Sequence, residues 1–203
     1  MTFQFYIKTN HIFWMIKYNV QNVFQRMDND KVKNISLQMS LPAALILFNV
    51  DGGINISMAI RSAALFGFSD VYIVGRRKRD KRGDVGACNY IKVHQIETIN
   101  DKYFKENKLM PIIVEQNGEP LEEFDFRPYF PKSNITDTEC DTSFKVAFIV
   151  GSEQDGVNIK LNCPMITISQ YGVMRSFNVA MASSIVMYEY TRQWRKTILK
   201  HFL

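Results

Sequence analysis

From Leu41 onward, apolar runs of strand length alternate with segments in which apolar residues recur every three or four positions. The run from Ala43 to Val50 is continuous enough for a buried strand, and Ile56 to Phe68 then spaces Ile56, Ile60, Ala63, Ala64 and Phe66 as a helix does. "DVYIVG" closes a second strand at Gly75, Tyr90 to Ile96 alternates as a half-buried strand, and Asn100 to Lys108 reads as a helix. The alternation continues with strands at Met110 to Gln116, Phe144 to Gly151 and Pro164 to Ser169, and with a long helix from Ser176 to about Lys196. Strands built from unbroken Val, Ile and Leu suit a parallel sheet covered on both faces. The pattern therefore predicts an α/β fold, a mostly parallel sheet with helices on both faces.

Two regions depart from it. Residues 1–40 read as an N-terminal extension, partly helical, ahead of a domain spanning 41–203. Residues 127–143, "RPYFPKSNITDTECDTS", are rich in Pro, Ser, Thr and Asp and predict an exposed loop. In the last helix Phe177, Met181, Ile185 and Tyr188 share one face while Val179, Ala182 and Val186 fill another, which predicts burial on all sides. Ser176 is placed to cap it.

Charge adds a direction. The formal charge is +5 with a pI near 9.0, and "RRKRDKR" puts Arg76, Arg77, Lys78, Arg79, Lys81 and Arg82 around a single Asp80. An anionic partner fits such a cluster, with a solvated loop or a localisation patch as the plainer readings. Cys88, Cys140 and Cys163 stand far apart with no CxxC spacing, so neither a metal site nor a disulfide framework is expected, and a reducing, cytoplasmic setting fits best. Only His11, His94 and His201 are available for imidazole chemistry. No uncharged apolar run reaches the roughly 18 residues of a membrane helix. The aromatic start is interrupted by Lys8 and Lys17, without the basic and small-residue features of a secretory leader.

Three polar turns follow predicted strands, where open α/β sheets bind ligands. The first, "DGGINISMAIR", carries Asn55 and Arg61, which face one another if Asn55 precedes the first helical turn; an N-cap and a solvated arginine are the bland alternative. The second, "IVGSEQDGV", sets Glu153 just after Gly151, where a ligand can approach the backbone, and it lacks the glycine spacing and lysine of a phosphate-binding loop. The third, "MRSFN", crowds Arg175, Ser176 and Asn178 at the mouth of the last helix, more polar groups than capping alone requires.

Taken in order, "NISMAIRSAALFG", "IVGSEQDGV" and "ITISQYGVMRSFNVAMASSIVMYEYTRQ" resemble the three signature motifs of the SpoU/TrmH branch of the SPOUT RNA methyltransferases, over residues 43–197. The resemblance implies transfer of a methyl group from S-adenosylmethionine to a ribose 2′-hydroxyl of tRNA, or of rRNA. It also implies a homodimer and a C-terminal deep trefoil knot. By motif position it assigns catalytic roles to Asn55, Arg61, Glu153, Ser176 and Asn178. Cofactor contacts fall on Val114, Gly151, Ile168, Ser176 and Phe177, the last where the family usually has Leu or Met. Asn55 and Glu153 would orient Arg61, an obligate cation suited to stabilising an alkoxide. The basic cluster and Arg175 would position RNA through phosphates. A non-catalytic RNA-binding or assembly protein on the same fold is the alternative. An NAD-type oxidoreductase lacks its glycine fingerprint here.

Overall fold

A computed structural model describes residues 19–130 and 144–199. Strands β1 (Leu41–Phe48), β2 (Phe68–Val74), β3 (Lys92–Ile96), β4 (Leu109–Pro120), β5 (Lys145–Val150) and β6 (Met165–Thr167) form one sheet in the order β3-β2-β1-β5-β4-β6. Every pairing in it is parallel. β1 lies at the centre, and its residues Ala43 to Leu47 are wholly buried, which is why this stretch of sequence shows no polar alternation.

The helices are α1 (Asn29–Gln38), α2 (Gly53–Leu65), α3 (Lys81–Asp84), α4 (Asp101–Glu106) and α5 (Val179–Leu199). One face of the sheet packs Ala43, Leu45 and Leu47 with Ile56, Ala59, Ile60 and Ala63 of α2 and Val186, Met187 and Tyr190 of α5. The other packs Ala44 and Ile46 with Phe104 of α4. Tyr190 forms the centre of an aromatic cluster, meeting Phe68, Phe126, Phe130 and Phe148 edge-on with ring centroids 5.3 to 5.9 Å apart. Such edge-to-face pairs add about 0.5–1.5 kcal/mol each beyond burial.

Several expectations are corrected. The last helix begins at Val179, not Ser176, and its cap is Asn178, whose Oδ1 accepts the Ala180 N–H at 3.0 Å. Nor is that helix buried all round: Val179, Ala180, Ser183, Val186, Met187 and Tyr190 are buried, whereas Met181 and Tyr188 are 50% and 58% exposed. The segment expected to be loop from 127 starts with a 3-10 turn, Arg127–Tyr129, and Phe130 is buried against Tyr190 and Trp194. Residues 131–143 lie outside the described residues, as do 1–18 of the extension. Within 19–40 lies α1, tied to the residues ahead of β3: Ser36 Oγ donates to the Tyr90 carbonyl at 2.8 Å and the Tyr90 hydroxyl to Asn29 at 3.0 Å. In the basic cluster, α3 forms a single turn capped by Asp80.

Candidate functional site

The three polar turns converge at the carboxyl ends of the central strands. Asn178 Nδ2 donates to Asn55 Oδ1 at 3.1 Å and to Glu153 Oε1 at 3.2 Å. Glu153 Oε1 also accepts the Val179 N–H at 3.4 Å, so the carboxylate sits at the positive end of α5. Glu153 Oε2 and the Asn55 amide nitrogen have no hydrogen-bond partner among the described residues, and Glu153 and Asn178 are exposed. The cluster therefore keeps capacity for a ligand.

Beside it lies a cleft of about 490 Å³. Val114, Gly151, Ile168, Ser176 and Phe177 all line it, together with Glu153 and Arg175. The five expected cofactor positions thus share one wall system. At Gly151 a Cβ would overlap the backbone of Gly156, so the loop closes on itself only because this residue has no side chain. The Ser152–Gly156 bridge and the Ser152 Oγ, which accepts the Asp155 N–H at 3.0 Å, complete that tight loop. Sequence reading passed over Glu115, Gln116, Thr167 and Gln170, which also line the cleft. The first two were discoverable only as neighbours of Val114 at a strand end.

Arg61 is elsewhere. Asn55 is the third residue of α2 and not a residue ahead of it. Six residues within a helix are separated by about 240° around the axis and about 9 Å along it, so the two side chains do not face one another. Arg61 lines a second cavity, of about 510 Å³, with Leu41, Phe66, Tyr90 and Arg195, and makes no ion pair or side-chain hydrogen bond among the described residues. Ile54, Met58, Arg61 and Leu65 form one exposed stripe on α2, and the exposed Met181 and Tyr188 lie on α5, the helix packed against it. Ser184 Oγ and Ser62 Oγ, 2.8 Å apart, pin the two helices together.

The basic cluster does lie beside the first turn: the Asp80 N–H donates to the Gly53 carbonyl at 2.9 Å. Its charges are not equivalent. Arg77 pairs with Asp51, Arg79 with Asp84 and Arg82 with Asp80, at 2.7, 3.1 and 2.6 Å. Arg76, Lys78 and Lys81 have no ion pair among the described residues and are exposed. Hydrogen bonds from Arg82 hold the Asp80 carboxyl down at about 2. Among the described residues no group of three or more His, Cys, Asp or Glu side chains is placed to hold a metal ion, and no helix is long and apolar enough to cross a membrane.

The profile of the SpoU rRNA Methylase family matches residues 42–188. No curated protein matches the chain. Among solved structures, the TrmH/SpoU tRNA modifying enzyme of A. aeolicus is similar with a TM-score of 0.65 and 18% identity, covering 83% of each chain. The AdoMet-bound rRNA methyltransferase of Sinorhizobium meliloti is similar at 0.59 and 20%, covering 79% of this chain and 59% of its own. A protein of 2-OH methylation of C/U34 on tRNA is similar at 0.55 and 19%, covering 75% of this chain and 91% of its own. At these identities the structural likeness is one of fold.

Proposed function

The chain belongs to the SpoU rRNA Methylase family, and from that premise we propose that it is an S-adenosylmethionine-dependent methyltransferase of an RNA ribose 2′-hydroxyl, in tRNA rather than rRNA. The observation that carries this reading is the Asn55–Asn178–Glu153 hydrogen-bonded cluster, which joins all three motif segments at the rim of one cleft. Apolar Val114, Ile168 and Phe177 along the cleft suit a purine, and the closed loop at Gly151 offers backbone groups at close range. When bound there, S-adenosylmethionine supplies a methyl group on a cationic sulfur.

The protein's own tasks are alignment and stabilisation of charge on the attacking oxygen. Asn55 and Glu153 fix Asn178 and the start of α5, and with them the loop bearing Arg175, Ser176 and Phe177. Arg61 is a permanent cation, suited to a developing alkoxide and its neighbouring phosphate. It stands on the exposed apolar stripe of α2, where Ile54, Met58 and Leu65 are 42%, 42% and 76% exposed. A second copy covering that stripe would make a homodimer and bring Arg61 to the seam, available to a ribose held at the partner's cleft. Arg76, Lys78, Lys81 and Arg175 grip RNA phosphates in this reading. The C-terminal segment from β6 to α5 adopts the family's trefoil knot, and free Cys88 and Cys163 suit a reducing cytoplasm.

Calorimetric titration with S-adenosylmethionine tests the reading. Saturable one-site binding is expected; no heat of binding at high micromolar concentration would contradict it and favour an RNA-binding protein without transfer.

A further inference from the structure

We propose that Glu115 and Gln116 form a two-armed brace that sets the spacing between the two walls of the cofactor cleft. The inference rests on the methyltransferase reading for what occupies the cleft; the brace itself is a property of the chain. β4 pairs with β6 at Val114 and Ile166, and its register then shifts so that Glu119 meets the same Ile166. Residues 115–118 are thereby released from the ladder, the arrangement by which a bulge re-aims side chains. Successive strand residues point to opposite sides, and these two reach opposite walls.

The first arm is the Glu115 carboxylate, whose Oε1 accepts the Val157 N–H at 2.6 Å, from a residue 42 positions away. A charged acceptor makes this a strong hydrogen bond. It closes the loop that presents Glu153, and Gly156 is shaped to it: its φ is +61°, and a Cβ there would overlap the Glu115 carboxylate. The second arm is the Gln116 amide, whose Nε2 donates to the Arg175 carbonyl at 3.2 Å, 59 positions away. With its nitrogen turned inward, Gln170 supports the same loop by donating to the Met174 and Arg175 carbonyls at 3.2 and 3.1 Å. One dipeptide at the register shift within β4 thus ties the Glu153 loop to the loop of Ser176 and Phe177. Neither side chain needs to touch the reacting atoms; both are positioning residues.

The test uses the full chain, titrated calorimetrically with S-adenosylhomocysteine, and amide hydrogen exchange on the ligand-free protein. Glu115→Ala and Gln116→Ala should each weaken binding about 10-fold, the scale of one lost hydrogen bond to a charged or well-placed partner. Glu115→Gln keeps an acceptor for the Val157 N–H and should bind within about 3-fold of wild type. Exchange at Val157 should quicken about 10-fold in Glu115→Ala and stay slow in Glu115→Gln and Gln116→Ala. In turnover assays KM for the methyl donor should rise more than kcat falls. Wild-type affinity in both alanine variants with slow Val157 exchange would overturn the brace. So would a Glu115→Gln variant as impaired as Glu115→Ala, which would mean the charge acts on the ligand directly. Gln116 is exposed, so its variant reports on folded protein whatever Glu115→Ala does. A wild-type protein that binds no S-adenosylhomocysteine would refute the methyltransferase reading instead, and the exchange comparison would still decide the brace.

Discussion

The sheet carries a polar cluster at each end, and the two are built on opposite terms. Toward the amino ends of the strands, the Asp70 carboxylate on β2, with its side chain 3% exposed, meets Lys145 Nζ at 2.5 Å, His94 Nε2 at 2.7 Å and Ser69 Oγ at 2.6 Å. Burial pushes this carboxyl up, but hydrogen bonds from Lys145, Ser69 and His94 and the charge of Lys145 outweigh it, leaving the pKa below the ordinary value. At the carboxyl ends, Asn55, Glu153 and Asn178 are joined by single bonds of 3.1 and 3.2 Å, with donor and acceptor atoms left over. Saturation and burial mark the first as structural; spare valence in an open cleft marks the second as a place for a ligand. The difference is one of partners and exposure, not of residue type.

The sharpest way to break this division is Arg61→Ala. Transfer should fall by about 10²–10³-fold, the usual cost of removing one transition-state donor, with melting temperature and cofactor affinity unchanged. Steady-state kinetics beside calorimetry checks it, and wild-type turnover would remove Arg61 from the reaction. Next comes Asp70→Asn, which leaves Lys145 without its counter-charge and His94 without its carboxylate partner. Denaturant unfolding should show a loss of about 2–3 kcal/mol, somewhat below a fully buried pair because both partners are partly exposed. Activity per folded molecule should not change.

The same carboxylate sets an acid limit. Its folded pKa is lowered, so its stabilisation is complete above the unfolded value near 3.8 and is lost as pH falls through the lower folded value. Unfolding free energy measured from pH 5 downward should drop more steeply in wild type than in Asp70→Asn. A smaller effect concerns RNA: replacing Arg76, Lys78 and Lys81 by Gln should flatten the slope of log affinity against log salt by about 2–3, at about 0.7–0.9 per phosphate contact. Replacing the ion-paired Arg77, Arg79 and Arg82 should do less. Smallest is Asn178→Ala, whose lost helix cap should cost about 1 kcal/mol in thermal unfolding.

Much of the frame was readable in the sequence because burial writes itself into composition. The run Ala43 to Val50 and the alternation from Tyr90 to Ile96 reappear as β1 (Leu41–Phe48) and β3 (Lys92–Ile96), each shifted by no more than two residues at either end. Ser176 and Asn178 both suit a cap, and the choice between them goes with Glu153, a partner 25 positions away that no local pattern reveals. The expected facing of Asn55 and Arg61 failed for a different reason: it required Asn55 ahead of the helix, whereas α2 opens at Gly53 and holds Asn55 at a fixed helical angle from Arg61. The exposed face of α5 was also illegible, since an apolar stripe left at the surface, such as Met181 and Tyr188, and a stripe packed into the core have the same apolar spelling. Glu115 and Gln116 carry no spacing signal at all, because both of their contacts are tertiary.

The central claim is tested most directly by incubating the protein with RNA and S-adenosylmethionine labelled in the transferable methyl group, then digesting the product with alkali. A 2′-O-methyl group blocks cleavage of the adjacent phosphodiester, so the label should appear in alkali-resistant dinucleotides. Label in mononucleotides alone, or none in the RNA, would contradict the account.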